Sequence, residues 1–328
     1  MGQTVLVTGG AGYIGSVTVE KLAEAGWKVV VVDDLSQGHR DAIVPGVPLE
    51  PGDVGDQAFL RGVLSKHRVG SVIHFAAKSV VPESQSRPGE YYRTNVVAGC
   101  ALLDAMAETG VGEIVFSSSA GVYGEPESVP ISESHGTRPL SVYGDTKLAF
   151  ERILEWRSGA VGLKYVSLRY FNAAGASARF GEDHSPETHL IPNALRAAQG
   201  VLSEITVYGD DYETPDGTCI RDYVDVRDLA DAHIAALDAL SRGRSGVFNL
   251  GSGDGWSVLN VINEVTRITG RSVPCAVGPR RAGDPARLVA SSSLAERELA
   301  WKPRHRELSD MIESAWAWAR RFPHGYSA

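Results

Sequence analysis

The stretch Thr8-Gly9-Gly10-Ala11-Gly12-Tyr13-Ile14-Gly15 decides the fold of this chain. It follows the apolar run Val5-Leu6-Val7 and precedes a segment with helical spacing, Ser16 to Ala25. Between a strand and a helix, glycines permit a tight turn and a close backbone approach to a pyrophosphate, and the helix N-terminus favours anions. Gly9, Gly12 and Gly15 therefore predict a dinucleotide site, although their G-x-x-G-x-x-G spacing is one residue wider than the commonest version.

Outward from this stretch, short β-branched runs alternate with longer segments of helical spacing. The alternation predicts an α/β fold with a Rossmann-type, doubly wound parallel sheet. Turn signals become frequent beyond Phe171 and predict a smaller C-terminal α/β substrate-binding domain. We expect residues 1–171 to form the dinucleotide-binding domain, 225–250 to pack back onto it, and 172–328 to be mainly the substrate-binding domain.

The expected strands are Val5 to Thr8, Lys28 to Asp33, Ser71 to Ala76, Glu113 to Ser118, Lys164 to Tyr170 and Gly246 to Leu250. The expected helices are Ser16 to Ala25, Gln57 to Ser65, Asn95 to Glu108, Val142 to Trp156 and Asp228 to Leu240.

Composition excludes several classes of function. The 328 residues carry a net charge of −8 with acidic and basic residues interspersed, so we expect neither nucleic-acid nor membrane binding. No segment approaches the roughly 20 apolar residues that span a bilayer. Cys100, Cys219 and Cys275 lack metal-like or disulfide-like spacing, which suits a reducing compartment. We expect a soluble, cytoplasmic protein without a metal site.

The predicted nucleotide site favours NAD. Asp33 ends the second predicted strand, 18 residues after Gly15. There its carboxylate can accept hydrogen bonds from the adenosine ribose and would repel the 2′-phosphate of NADP. Asp53 and Val54 close a third strand where an adenine edge could lie, although a lone Asp in this position is more often a helix cap.

A second motif predicts proton and hydride transfer. Tyr143 and Lys147 are four residues apart at a predicted helix start, so they share one face, and an ammonium there would lower the pKa of the phenol. Such a pair alone is also common on exposed helices. Ser119 ends the run Ser117-Ser118-Ser119, at the end of a strand where open α/β sheets place ligands. The three side chains together predict oxidation of an alcohol.

Several motifs then identify the chain as resembling the extended short-chain dehydrogenase/reductase family, over nearly its whole length. Three motifs are general to the family, namely Thr8 to Ser16, Val72 to Ala77 and Ser117 to Gly124. Three more are specific to its branch that inverts C4 of UDP-linked hexoses, namely Leu168 to Asn172, Asp216 to Val224 and Ala282 to Ala286.

This resemblance implies a reaction without net redox change. Tyr143 takes the proton of the sugar O4 while the C4 hydride passes to bound NAD. The 4-keto sugar then rotates about its diphosphate link and receives the hydride on its opposite face. The implied substrates are UDP-glucose and UDP-galactose, and helices Asn95 to Glu108 and Val142 to Trp156 resemble those that form a homodimer interface in the family.

The resemblance also assigns roles to individual residues. Catalysis is implied for Ser119, Tyr143 and Lys147, which also contact NAD, and Ser119 and Tyr143 contact the sugar. The other implied NAD contacts are Gly9, Gly12, Tyr13, Ile14, Gly15, Asp33, Asp34, Leu35, Ser36, Gly38, Asp53, Val54, Phe75, Ala76, Ala77, Ser79, Asn95 and Phe171. The other implied substrate contacts are Asn172, His189, Tyr208, Arg221, Arg281, Asp284 and Leu288.

The chain departs from its relatives at three of these regions. His189 stands where many have Asn, Asp225 replaces a His, and Val142 replaces a Pro before Tyr143. Leu288 occupies the position that helps to decide whether an N-acetyl group fits beside the sugar. Its branched side chain predicts a preference for UDP-glucose and UDP-galactose over their N-acetylated counterparts.

Other functions remain open at this point. A 4,6-dehydratase of the same superfamily would have an Asp-Glu pair after the fifth strand, where this chain has Ser119-Ala120-Gly121. A uronate epimerase or decarboxylase would want a donor for the C6 carboxylate, and no candidate stands out. A simple alcohol dehydrogenase is also possible. A nucleotide-sensing module without catalysis is disfavoured by the intact Ser119, Tyr143 and Lys147.

Overall fold

The structure is a computed structural model that describes residues 4–281 and 284–326. The strands are β1 (Thr4–Thr8), β2 (Lys28–Asp33), β3 (Leu49–Pro51), β4 (Val69–His74), β5 (Glu113–Ser119), β6 (Lys164–Tyr170), β7 (Asn172–Ala174), β8 (Ile205–Tyr208), β9 (Ile220–Arg221), β10 (Tyr223–Asp225), β11 (Gly246–Leu250), β12 (Trp256–Ser257), β13 (Cys275–Gly278) and β14 (Arg287–Leu288). The α-helices are α1 (Tyr13–Glu24), α2 (Gln57–His67), α3 (Val81–Ser86), α4 (Pro88–Tyr92), α5 (Ala98–Thr109), α6 (Val142–Val161), α7 (Leu190–Ala198), α8 (Val226–Ser241), α9 (Val258–Thr269), α10 (Ser293–Glu298) and α11 (Leu308–Arg321).

A seven-stranded parallel sheet with the order β11-β6-β5-β4-β1-β2-β3 forms the centre of the molecule. The chain runs outward from β1 through β2 to β3 and then returns to the other side of β1 at β4. The carboxyl ends of β1 and β4 therefore flank the switch point at which such sheets bind ligands. The expected Rossmann-type α/β fold is confirmed.

Two hydrophobic layers cover the sheet because its strands are rich in Val and Ile and bury both faces. On one face, Val5, Val7 and Val31 pack against α1 and α8. On the other face, Leu6 and Val30 pack against α2, α5 and α6. Strand β11 pairs with β6, so the segment that contains α8 and β11 completes the sheet after the chain has left it.

A third cluster of buried residues lies outside the sheet, among α7, α9, α11 and β8. The small β9 pairs with β12 on one side and with β14 on the other, which brings distant parts of the chain side by side. Asp222 stabilises this region. Its buried carboxylate accepts hydrogen bonds from the backbone N–H groups of Ser252, Gly253 and Ala290, and burial raises its pKa to about 6. No described helix is long and apolar enough to cross a membrane.

Candidate active site

The glycine-rich turn links β1 to α1 with almost no space to spare. A Cβ on Gly15 would lie 2.1 Å from the carbonyl oxygen of Gly9, so only glycine lets the helix start this close to the strand. No side chain caps the N-terminus of α1 in the described structure, and its first turn contains no acidic residue. Free helical N–H groups beside a bare backbone fit the pyrophosphate of a dinucleotide.

Asp33 lies at the end of β2, beside this turn. Its carboxylate accepts hydrogen bonds from the N–H groups of Ala11 and Leu35, each at 2.9 Å. Burial raises the pKa of Asp33, and these two bonds oppose the shift. Since a carboxylate has about four lone-pair sites, oxygens that already accept two bonds can still accept from a ribose. Asp33 therefore stabilises the turn and is also a candidate ligand of the ribose.

Asn95, an expected NAD contact, bonds to the turn that follows β4 and to α6. Its Oδ1 accepts from the N–H of Lys78 at 2.8 Å, and its Nδ2 donates to the Lys78 carbonyl and to Oγ1 of Thr146, each at 3.0 Å. Both donors of the amide are therefore used by the protein. Asn95 fixes the turn from Phe75 to Ser79 after β4, and its effect on a cofactor would be through that turn.

The other expected NAD contacts lie in three places. Tyr13, Ile14 and Gly15 begin α1, and Tyr13 donates its hydroxyl to the Gly175 carbonyl at 2.6 Å. Asp53 is exposed and accepts from the N–H of Gly55, whereas Val54 is buried below the sheet edge. Phe171 is buried in a cluster with Ala120, Val122, Tyr123, Ile131, Leu148 and Ala290. The rest lie in the loops that follow β2 and β4, namely Asp34, Leu35, Ser36, Gly38, Phe75, Ala76, Ala77 and Ser79.

The structure brings Ser119, Tyr143 and Lys147 together where β5 meets α6. Ser141 caps α6 by accepting from the N–H of Gly144, which places Tyr143 in the first turn. A Cβ on Gly144 would lie 2.3 Å from the carbonyl oxygen of Gly121, so this glycine lets the helix approach the end of β5. Tyr143 is half-buried, and the Ser119 hydroxyl lies beside its phenol.

Lys147 is buried below this pair. It is 3% exposed, its Nζ donates to the Ser117 carbonyl at 2.8 Å, and it lies 5.7 Å from the centre of the Tyr143 ring. Burial lowers the pKa of Lys147 to about 7, and the carboxylate of Glu151 opposes that shift. Glu151 itself accepts hydrogen bonds from Ser118 and Arg169.

One expectation about this trio is wrong. The spacing of Tyr143 and Lys147 in the sequence predicts that the Lys147 ammonium lowers the pKa of Tyr143. In the structure burial raises the pKa of Tyr143, and the group that opposes this is the Ser119 hydroxyl. The reason is geometric, because the ammonium lies over the ring and bonds to the backbone of β5 instead of contacting the phenol oxygen.

The expected substrate residues lie around β9 and β14. Arg221 and Asp284 form an ion pair, and Leu288 is the register partner of Arg221. Leu288 also packs on the buried cluster that contains Phe171, which connects this region to the trio. A cation–π contact of 3.9 Å places the Arg281 guanidinium over the Tyr208 ring.

The two remaining substrate candidates, Asn172 and His189, lie on β7 and just before α7. Asn172 is exposed at the start of β7, and its N–H donates to the carbonyl of Asp222, the residue after Arg221. His189 precedes α7 and is half-exposed, with Nδ1 bonded to the carboxylates of Glu182 and Glu187. The motif from Ala282 to Ala286 is described only in part, since Ala282 and Gly283 lie outside the described residues.

Two residues beside the trio, Glu151 and Tyr170, were not predicted from the sequence. Glu151 is four residues after Lys147 on the same helix face, a spacing that could have identified it. Tyr170 forms a hydrogen bond with the Ser117 hydroxyl, which no sequence pattern reveals because β5 and β6 are adjacent only in the folded sheet.

Comparison with known proteins finds similar proteins over nearly the whole chain. The model of the NAD dependent epimerase/dehydratase family matches residues 5–251. A UDP-glucose 4-epimerase from Halalkalibacterium halodurans is 51% identical, over 99% of this chain and 98% of the relative. The solved UDP-glucose 4-epimerase from Brucella ovis in complex with NAD is 46% identical with a TM-score of 0.93, over 96% of this chain and 98% of the other. A Bifidobacterium longum UDP-glucose 4-epimerase in complex with NAD⁺ and UDP is 40% identical with the same TM-score, over 99% and 100% of the two chains.

Proposed function

The chain belongs to the NAD dependent epimerase/dehydratase family, and we propose that it interconverts UDP-glucose and UDP-galactose by inversion at the sugar C4 with tightly bound NAD. The observation that carries the proposal is the full-length likeness to UDP-glucose 4-epimerases, at 51% identity in one case. The cluster of Ser119, Tyr143 and Lys147 at the end of β5 supplies the groups that this chemistry requires.

NAD fits the glycine-rich turn. We assign the pyrophosphate to the uncapped N-terminus of α1, the adenosine ribose to Asp33, and the nicotinamide ribose to the remaining N–H groups of Lys147. NAD, when bound, supplies a reversible hydride acceptor and a positive charge that favours the phenolate form of Tyr143. On this assignment residues 1–171 are the NAD-binding domain, completed by 225–250, and 172–328 mainly bind the UDP-sugar.

Tyr143 is the proton-transfer group. Its phenolate removes the proton from the sugar O4 as the C4–H bond breaks, and the phenol returns a proton to O4 when that bond reforms on the opposite face. Ser119 donates a hydrogen bond that orients the sugar hydroxyl. Because the same phenol acts in both directions, the protein ends each turnover in its starting protonation state.

The UDP group is assigned to the residues around β9. Arg221 bonds to Asp284, which holds its planar guanidinium ready for a phosphate oxygen. The Tyr208 ring, with Arg281 above it, is the proposed uracil contact, and Asp284 accepts from the uridine ribose. Asn172 and His189 complete the proposed donors for the diphosphate and sugar.

Exposed apolar side chains support a homodimer. Trp156 on α6 is 78% exposed, and Val97, just before α5, is 62% exposed. Large apolar residues on two neighbouring helices are costly in water, and pairing with a second copy of the chain would cover them. We further propose a cytoplasmic location, which agrees with three cysteines that form no disulfide in the structure.

Incubation of the purified protein with UDP-galactose, without added NAD, tests the function. We expect UDP-glucose to form and NAD to be released when the protein is denatured. A requirement for stoichiometric NAD together with NADH release would instead identify a dehydrogenase. Loss of water from the sugar, detected by mass spectrometry, would identify a dehydratase, which the sequence Ser119-Ala120-Gly121 after β5 does not favour.

A further inference from the structure

A cluster of two glutamates and two histidines lies in the loop between β7 and α7. Nδ1 of His189 is 2.8 Å from Oε1 of both Glu182 and Glu187. Nδ1 of His184 is 3.2 Å from Oε1 of Glu182 and 3.7 Å from Oε2 of Glu187. One donor atom from each residue lies within 4.8 Å of all the others. The loop therefore gathers four potential metal ligands from eight consecutive residues.

We propose that Glu182, His184, Glu187 and His189 bind one zinc ion. Zinc prefers four ligands in a tetrahedron, and imidazole nitrogen and carboxylate oxygen are both among its usual donors. Ligand atoms at about 2.0–2.2 Å from zinc lie about 3.3–3.6 Å from one another. The four histidine–glutamate separations of 2.8–3.7 Å bracket that range, and all the ligand atoms lie within 4.8 Å of one another, so side-chain movements of about 1 Å would complete the site. Calcium and magnesium prefer oxygen ligands and suit the two imidazoles poorly.

The charge and burial of the cluster agree with a divalent cation. The side chains of Glu182 and Glu187 are only 9% and 4% exposed. Two buried carboxylates are costly unless positive charge balances them. In the described structure the salt bridges of both carboxylates are made only with His184 and His189. One zinc ion would balance both carboxylates with the imidazoles neutral.

Surrounding groups hold the ligands in place, as is usual around metal sites. The backbone N–H groups of Thr188 and His189 donate to Oε1 of Glu187, each at 2.7 Å. The His184 ring lies edge-on to Tyr13, the first residue of α1. Since zinc would occupy Nδ1 of His189, its Nε2 would keep a hydrogen and could still donate to a substrate. The ion would thus hold the loop from Glu182 to His189 in place, with His184 against the first residue of α1 and His189 directly before α7.

Metal binding by the whole purified protein tests this proposal. The protein carries Cys275→Ser, because Cys275 is exposed and could bind zinc by itself. After treatment with a chelator and addition of ZnCl₂, we expect one zinc per chain to survive gel filtration. Cobalt(II) at the same site should give the intense visible absorption of a tetrahedral complex. A protein that retains no zinc and gives no such spectrum would overturn the proposal.

Substitutions locate the ion. His184→Gln and Glu187→Gln should each weaken zinc binding at least tenfold, whereas His184→Cys should retain zinc because a thiolate is also a zinc ligand. Retention by the Cys variant separates a lost ligand from a misfolded loop. The matched control is His67→Gln, which removes another histidine bonded to a glutamate, Glu50 at 2.7 Å, and should not alter the zinc content. Equal zinc in all variants would place the metal elsewhere and refute the assignment. Because the measurement is metal content, it is independent of epimerase activity.

Discussion

The Tyr143 phenol is held neutral by its own surroundings, because burial raises its pKa and only the Ser119 hydroxyl opposes the rise. Lys147 does not contact the phenol oxygen and bonds instead to β5. The two side chains therefore have separate tasks in our proposal. Tyr143 transfers the proton, while Lys147 fixes the cofactor ribose and adds positive charge beneath it.

Replacement of Tyr143 by Phe removes the proton-transfer group and leaves the ring in place. We expect kcat to fall by a factor of about 10²–10⁴, the usual contribution of a general acid–base group, while NAD stays bound. Turnover of UDP-galactose and the NAD content of the denatured protein measure the two effects. Tyr165→Phe is the control and should keep full activity, because this partly buried tyrosine lies near the amino end of β6, away from the carboxyl strand ends where the site lies. Near-normal turnover by Tyr143→Phe would remove this residue from the mechanism.

Leu288 is the residue that we expect to limit the size of the sugar. It packs on the buried cluster around Phe171 and is the register partner of Arg221. Leu288→Ala would open space for an N-acetyl group, and a difference of a single methylene in an apolar pocket typically changes specificity by about 10–200-fold. We expect kcat/KM for UDP-GlcNAc, relative to UDP-glucose, to rise within about that range. If the unaltered protein already turns over both sugars equally, Leu288 does not restrict the pocket.

At the scale of elements, the glycine-rich turn works because α1 begins in direct contact with the end of β1. Gly15→Ala would place a methyl group against the Gly9 carbonyl, a backbone atom that cannot move without displacing the turn. We expect lower thermal stability and loss of bound NAD. Gly62→Ala in the middle of α2 is the matched control, because its Cβ would meet nothing within 4 Å. That control should be stabilised by about 0.5–1 kcal/mol and keep its NAD. Full NAD occupancy in Gly15→Ala would contradict the proposal that the glycine-rich turn binds the NAD pyrophosphate.

The elements of the central sheet could be predicted from sequence because parallel strands buried on both faces are continuous Val- and Ile-rich runs. The strands Lys28–Asp33, Lys164–Tyr170 and Gly246–Leu250 were predicted to the residue. The start of α5 was not, since a π-helical turn at Arg93–Val97 precedes it and breaks the periodicity that prediction uses. The loop from Glu182 to His189 was also beyond prediction, because its four side chains meet only through the path of the backbone.

At the scale of the whole molecule, each hydrophobic layer of the sheet contains a buried histidine. His74 contacts Phe116 and Phe150 in one layer, and burial lowers its pKa to about 3. His233 contacts Phe75 and Tyr170 in the other, and burial lowers its pKa to about 4. Both rings are neutral in the folded protein at pH values where the unfolded chain binds protons, near 6.5 and below.

The contribution of these two histidines to the free energy of unfolding should therefore be fully present above pH 6.5 and be lost progressively as the pH decreases toward 4. Each histidine contributes a slope of about 1.4 kcal/mol per pH unit in this window. His74→Gln should remove one such contribution, although it also costs stability at pH 7. Urea unfolding at pH 7, 6 and 5 measures the slope, with His324→Gln at an exposed site as the control. Parallel pH dependences for His74→Gln and the unaltered protein would show that His74 does not titrate in this way.

The proposed dimer would cover apolar side chains that the single chain leaves exposed on and beside α5 and α6. Trp156, Val161 and Val97 are 78%, 69% and 62% exposed, and all three lie on or beside α5 and α6. A charge at Trp156 would have to be buried in a dimer but costs little in a monomer, so Trp156→Glu should shift the equilibrium toward the monomer. Light scattering after gel filtration should give twice the chain mass of 35.0 kDa for the unaltered protein and a lower, concentration-dependent mass for the variant. Val201→Glu is the matched control, because Val201 is exposed between α7 and β8, away from these helices, and its substitution should leave the dimer intact. If Trp156→Glu keeps the mass of a dimer, the two chains meet through another surface.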